Sequence, residues 1–281
     1  MSHRPVPPEN PPQTGRSHLC WAFTEPAEFF ARARAFLVEG LAAGKRVCLT
    51  APGTERALLD QVATIPGIGD LLERGAVLVR SLDGVYAGGG VVDPEEQVRV
   101  YAGETDQAVA DGFTGFRVAA EATHLVRTPA HLDAFASYEH VVDRYMAAST
   151  FDAMCAYNVP ELGADTVDKL ATMHPGGNVD TVPFHLHGWG RGGAVALDGE
   201  LDLRSRELFP WALEHAAPGW GGGEVVVDAR GLTFIDHHAL LRLADQAERR
   251  GFTAVLRTRA MNPARLVEIL GISGVRVEQV A

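Results

Sequence analysis

From residue 17 the chain alternates strand-like blocks, at 18–24, 45–51, 75–80, 115–121 and 153–159, with helical ones, at 25–43, 54–65, 94–111, 129–148 and 161–172. Parallel strands need a long crossover between them, and each interval here holds a helix long enough to supply it. The pattern predicts an α/β fold, a mostly parallel sheet with helices on both faces. The first helix is the best marked. Phe29, Phe30, Ala33, Phe36, Leu37 and Leu41 recur at helical spacing, Thr24 is placed to cap it, and Gly44 can supply the left-handed stop.

After His174-Pro175-Gly176-Gly177-Asn178 the rhythm changes. Strands are expected at 184–189, 194–199, 224–228, 252–257 and 275–280, with helices at 204–216, 237–250 and 262–270. That set makes a smaller mixed sheet with helices. The expected division is a disordered tail over 1–16, which holds five prolines, a first domain over 17–174, a linker over 175–183 and a second domain over 184–281.

Charge narrows the partners. The chain has 25 Lys and Arg against 36 Asp and Glu, a net −11. From Phe184 onward the counts are 11 and 12, which leaves 14 against 24 in the first part. An acidic first domain disfavours nucleic acid and anionic membrane, which both need a basic surface. No apolar run approaches the ~18–20 residues of a membrane span, and residues 1–16 have no apolar segment of a secretory signal. Cys20, Cys48 and Cys155 are odd in number and lie in apolar runs, so no disulfide framework is expected and a reducing cytoplasm fits. A homo-oligomer stays open.

In the second unit a strand over Glu224 to Asp228 leads through Ala229-Arg230-Gly231-Leu232-Thr233-Phe234-Ile235 to Asp236 in helix N-cap position. With Gly199-Glu200-Leu201-Asp202-Leu203 before it, and Asn262-Pro263-Ala264 and Leu270-Gly271-Ile272 after it, this region resembles the STAS domain of anti-sigma-factor antagonists. The resemblance implies a docking surface at this helix start, where a partner kinase that is also an anti-sigma factor phosphorylates a serine. Here His237 and His238 replace that serine, so serine phosphorylation at this point is lost. The two histidines then read as a docking surface without its switch, as pH- or ligand-sensitive contacts, or as phosphohistidine or metal-binding residues. Ser205 and Thr233 are hydroxyls that remain nearby in sequence.

The first unit carries His18-Leu19-Cys20-Trp21-Ala22-Phe23, Phe36 to Gly44, Arg117-Val118-Ala119-Ala120-Glu121, Tyr138-Glu139, and Cys155-Ala156-Tyr157 with His174-Pro175. In these blocks and their order it resembles the MEDS family of sensory domains. The resemblance implies a RecA-like α/β fold used to sense a ligand. A phosphate cradle is not expected in the turn Ala51-Pro52-Gly53-Thr54-Glu55-Arg56: it has no Lys, Pro52 removes an amide donor, and Glu55 repels phosphate. Arg56 at the helix start leaves another anion open.

Ligand contacts are expected at the strand carboxyl ends, near Pro52, the segment 81–86 with Tyr86, Glu121 and His18. Glu121 reads equally well as a cap of the turn that follows it. Gly88-Gly89-Gly90 lies in a long connection that reads as a lid or as a solvent loop. No cofactor or metal is assigned, although His18 and Cys20 alternate onto one face and, with Cys155, His124 or His174, are candidates for a metal or haem site. The expectation is a cytoplasmic signalling protein, not an enzyme. It senses a small molecule or partner and contacts a regulatory protein such as an anti-sigma factor or sensor kinase. The alternatives are a RecA-like nucleotide binder or ATPase with a STAS appendage, and a metal, haem or redox sensor.

Overall fold

The computed structural model describes residues 17–82, 91–216, 220 and 222–280, so the expected tail, Tyr86 and Gly88 to Gly90 lie outside the described residues. The first unit runs β1 (His18–Phe23), α1 (Pro26–Ala42), β2 (Arg46–Ala51), α2 (Glu55–Val62), α3 (Ile68–Glu73) and β3 (Val77–Ser81). It continues with α4 (Pro94–Ala110), β4 (Phe116–Glu121), a 3-10 turn (Thr123–Val126), α5 (Pro129–Ala148), β5 (Phe151–Asn158), α6 (Val159–Leu162), α7 (Ala164–Ala171) and β6 (Gly176–Gly177). The sheet order is β3-β2-β4-β5-β1-β6, and every pairing is parallel. The α/β expectation holds.

Alternation along the strands sorts the side chains into two cores. Val47, Leu49, Ala119, Met154 and Ala156 pack with Phe29, Phe36, Leu37 and Leu58 of α1 and α2. Cys20, Cys48, Val118, Cys155 and Tyr157 face the other way, against Phe135, Tyr138, Val142 and Met146 of α5 and Leu170 of α7. All three cysteines are therefore buried on the α5 face, and all are free.

Several local expectations are corrected. Glu25, not Thr24, precedes the first helical turn. Thr24 instead donates its amide and hydroxyl to Glu28 Oε2, at 2.8 and 2.9 Å. Pro26, whose fixed φ suits the first helical position, sets the start. Gly44 is left-handed as expected, with φ 77°. The segment read as a linker is partly built into the first sheet, because β6 pairs with Leu19 and Cys20.

The second unit runs β7 (Phe184–His187), β8 (Val195–Leu201), α8 (Leu208–Ala216), β9 (Gly223–Ala229), β10 (Leu232–Ile235), α9 (His237–Arg250), β11 (Phe252–Thr258), α10 (Asn262–Leu270) and β12 (Val275–Gln279). Its order is β10-β8-β9-β11-β12, with β7 antiparallel to β8 and the rest parallel, which is the expected mixed sheet. The helix expected over 204–216 divides into a 3-10 turn at Leu203–Ser205 and α8. Pro210 is tolerated only in a first turn, so α8 begins just before it. β10, too short to show a period, forms by pairing along β8.

The two units share contacts. Trp211 of α8 packs against both the α5-face core and the second core. The Leu186 amide donates to Thr172 O at 2.6 Å, and His215 Nε2 lies 3.1 Å from Asp133 Oδ1 on α5. A cleft of about 420 Å³ opens between them, lined by His140, Arg144, Gly188, Val195, His215 and Trp220 among others. Among the described residues no helix is long and apolar enough to cross a membrane.

Candidate functional site

The alternation that sends Cys20 and Cys155 to the α5 face sends His18 there too. On α5, Leu132, Phe135, Ala136, Val142 and Met146 form the buried stripe, and Glu139 and Asp143 interrupt it. These two carboxylates, one helical turn apart, therefore point at β1. His18 lies between them. Its Nδ1 is 2.9 Å from Asp143 Oδ1 and its Nε2 is 3.0 Å from Glu139 Oε2, with all three side chains fully buried. His174, just after α7, completes the group: its ring centre is 4.3 Å from that of His18, and its Nε2 is 3.6 Å from Glu139 Oε2.

Each of these residues is tethered by its outer atom. His174 Nδ1 is 2.9 Å from Leu170 O, which makes that nitrogen the donor and leaves Nε2 with a lone pair. Tyr157 donates its hydroxyl to Glu139 Oε1 at 3.2 Å. The inner atoms are a different matter: His18 Nε2, His174 Nε2 and Glu139 Oε2 are buried and make no hydrogen bond. The 3.0 Å approach of His18 to Glu139 is an ion-pair distance without hydrogen-bond alignment.

The electrostatics follow from burial and the two acids. Burial alone would lower the His18 pKa, but its bond to Asp143 and the closeness of Cys155 and the Glu139 carboxylate outweigh it and raise the value well above 6.5. His174 has the opposite balance, with burial bringing it down to about 4 against the pull of Glu139. Burial, reinforced by Glu139, pushes the Cys155 thiol up to about 12.

The sequence-derived candidates separate. His18 stands at the amino end of β1, paired with Ala153, whereas Glu121 ends β4 beside Ala156, so the two do not share a site. Glu121 accepts the Thr123 amide at 3.1 Å and also the Thr123 hydroxyl, which is the turn-capping arrangement. Arg56 is exposed on the first turn of α2. Thr54 spends its hydroxyl on the Ala57 amide at 3.3 Å as the cap of that helix. Cys20 faces the cluster but is not among the four grouped donors His18, Glu139, Cys155 and His174, and neither is His124. Glu139 and Asp143 were missed as site residues; carboxylates at core positions of an apolar helical stripe were the available signal.

In the second unit Asp236 caps α9 by accepting the Ala239 amide at 2.8 Å. His237 and His238 are exposed, with ring centres 4.0 Å apart. Asp236 and His238 line a shallow hollow of about 260 Å³ together with Ser205, Phe209 and Arg242. Asp143 joins the buried cluster to the second unit at the end of β7, not to the α9 hollow. Its Oδ1 meets His18, and its Oδ2 accepts the amide of Gly188, which follows β7 directly.

No curated protein matches the chain. The family model of the methanogen/methylotroph, DcmR sensory domain matches residues 17–175, the segment that holds the whole buried cluster. The match covers more than half of the sequence, and the chain belongs to the MEDS family.

Proposed function

We propose that the chain is a cytoplasmic bacterial signalling protein and not an enzyme. Its MEDS domain takes up a small-molecule or partner signal, and a STAS-like second domain passes it to a regulatory protein such as an anti-sigma factor or sensor kinase. The observation that carries this reading is the continuity from His18 through Asp143 to the Gly188 amide. One carboxylate ties the buried centre of the sensory domain to the first strand of the second. A Cβ at Gly188 would lie 3.2 Å from Asp143 Oδ2 and 3.3 Å from the Arg144 amide, so the approach is close and sensitive to small shifts. Interfaces packed this tightly respond to displacement in steps.

The start of α9 supports the docking half. His237 and His238 are exposed there, and Phe234, Leu241 and Met261 are 44%, 45% and 73% exposed. Exposed aromatic and aliphatic side chains beside a polar helix start suit a protein partner. The non-enzyme half draws support from the turn after β2, which lacks the lysine of a phosphate cradle, and from Glu121, whose carboxylate is committed to Thr123.

The test is affinity purification of the tagged chain from cells that express it, comparing wild type with Phe234→Asp and with the double variant His237→Asp/His238→Asp. A regulatory protein is expected with wild type and lost from both variants. The same protein profile in all three would sink the docking reading. Magnesium-dependent ATP turnover that survives purification and disappears in Glu121→Gln would sink the non-enzyme reading.

A further inference from the structure

We propose that His18 Nε2, Glu139 Oε2, Cys155 Sγ and His174 Nε2 form a binding site for one divalent cation of the zinc class. This goes beyond the signalling reading, and the site does not depend on it. The four residues are buried, and their ligand atoms lie within 4.8 Å of one another. Tetrahedral coordination by nitrogen, oxygen and sulfur at the usual bond lengths places neighbouring donors roughly 3.4 Å apart. The edges of 3.0 Å from His18 to Glu139 and 3.6 Å from His174 to Glu139 bracket that value.

The independent observation is the unpaired set. Buried polar atoms nearly always make a hydrogen bond, and here three from three different residues converge on one another without making one. The outer atoms are already held in the manner typical of metal ligands. His18 Nδ1 faces the Asp143 carboxylate, His174 Nδ1 faces the Leu170 carbonyl, and Glu139 Oε1 takes the Tyr157 hydroxyl. Two imidazoles, a carboxylate and a thiol suit zinc better than magnesium or calcium, which prefer oxygen. Four protein ligands leave no open position for substrate water, so the site suits a structural or sensing cation rather than hydrolysis.

The charges balance. On loading, the Cys155 thiol releases its proton to solvent and binds as the thiolate, which with the Glu139 carboxylate offsets the dication. The cation sits one residue from Asp143 and hence two from Gly188, so its presence would be felt at the second domain; that consequence alone rests on the coupling proposed above.

The experiment uses the full chain, purified without a polyhistidine tag or chelator. Elemental mass spectrometry is expected to find one zinc per chain. Exchange with cobalt(II) should give tetrahedral d–d bands and a sulfur-to-cobalt charge-transfer band. That band should vanish in Cys155→Ser and persist in Cys20→Ser. Asp143→Asn, which touches no metal, should weaken cobalt binding about 10–100-fold. Wild-type protein that neither retains zinc nor develops the cobalt bands overturns the proposal without reference to any variant's folding. A charge-transfer band that survives Cys155→Ser overturns the ligand assignment. Because no partner is present in this measurement, its failure and that of the docking reading are told apart.

Discussion

Two buried polar clusters sit on opposite faces of the same sheet, and they are built to different rules. On the α1 face Asp152 accepts Lys45 Nζ at 2.6 Å, Arg117 at 3.0 Å and the Ser17 amide at 3.2 Å. Arg117 also reaches Glu39 at 2.8 Å and lies 3.6 Å from the centre of the Phe36 ring. Both oxygens of Asp152 are filled. On the α5 face, by contrast, the outer atoms of His18, Glu139 and His174 are paired and the inner ones are not. Burial of charge is common to both clusters, so it cannot mark function. Each also leaves buried atoms without a hydrogen bond, Arg117 Nε and Ser17 Oγ on the α1 face; what separates them is that on the α5 face such atoms belong to a group of metal-ligand types within 4.8 Å of one another.

The comparison is most easily broken by removing one acid from each cluster in metal-free protein. Asp152→Ala strands Lys45 and Arg117 in the interior and should cost about 3–5 kcal/mol in urea denaturation. Glu139→Gln should cost less, roughly 1–3 kcal/mol, because Gln keeps an acceptor for Tyr157 and Asp143 still faces His18. Equal losses would mean that both clusters are structural.

A carboxylate with a single backbone partner sets the scale between them. Asp236→Ala removes the bond to the Ala239 amide and should cost about 0.5–2 kcal/mol, read from the shift in urea midpoint. A loss matching that of Asp152→Ala would show that the α9 start carries more of the fold than a cap does.

The smallest effect is expected at Asp228, a buried carboxylate near the end of β9 that is held by two amides and one guanidinium. Burial pushes its pKa up, but the amides of Arg191 and Arg230 and the Arg230 guanidinium outweigh it and hold the value below 3.8. A depressed carboxylate stabilises the fold above its unfolded pKa, and the contribution is lost as pH falls through the folded value. The difference between wild type and Asp228→Asn in thermal melting should thus be complete at about pH 6 and close below pH 3.8. A difference that widens in acid would reverse the sign of the argument.

Much of the fold was legible because helix-length intervals between apolar strands leave few arrangements other than a parallel sheet. The same alternation put His18 and Cys20 on one face before any coordinates. It could not say which of them joins Cys155 in the cluster: the register sets Cys20 opposite Cys155, yet the donor grouped with Cys155 is His18, brought there with Glu139 and His174. Glu139 and Asp143 stayed hidden for a related reason. Within the stripe of α5 a carboxylate reads as a break until the histidine opposite it is known. Likewise, only the local turn geometry decided that Glu121 spends its oxygens on Thr123.

The way the chain leaves its first domain also bears on how such a domain can be reused. Gly177 runs so close to β1 that a Cβ would lie 2.0 Å from Cys20 O. One residue later, the Asn178 side chain accepts the Ala22 amide at 2.7 Å and donates to the Ala22 carbonyl at 2.8 Å. A chimera that grafts this sensor onto a foreign output and splices at residue 175, where the family match stops, would uncover the outer edge of the strand that carries His18, leaving it paired with β5 alone. The splice has to fall beyond Asn178, at a boundary drawn by backbone fit rather than by sequence likeness.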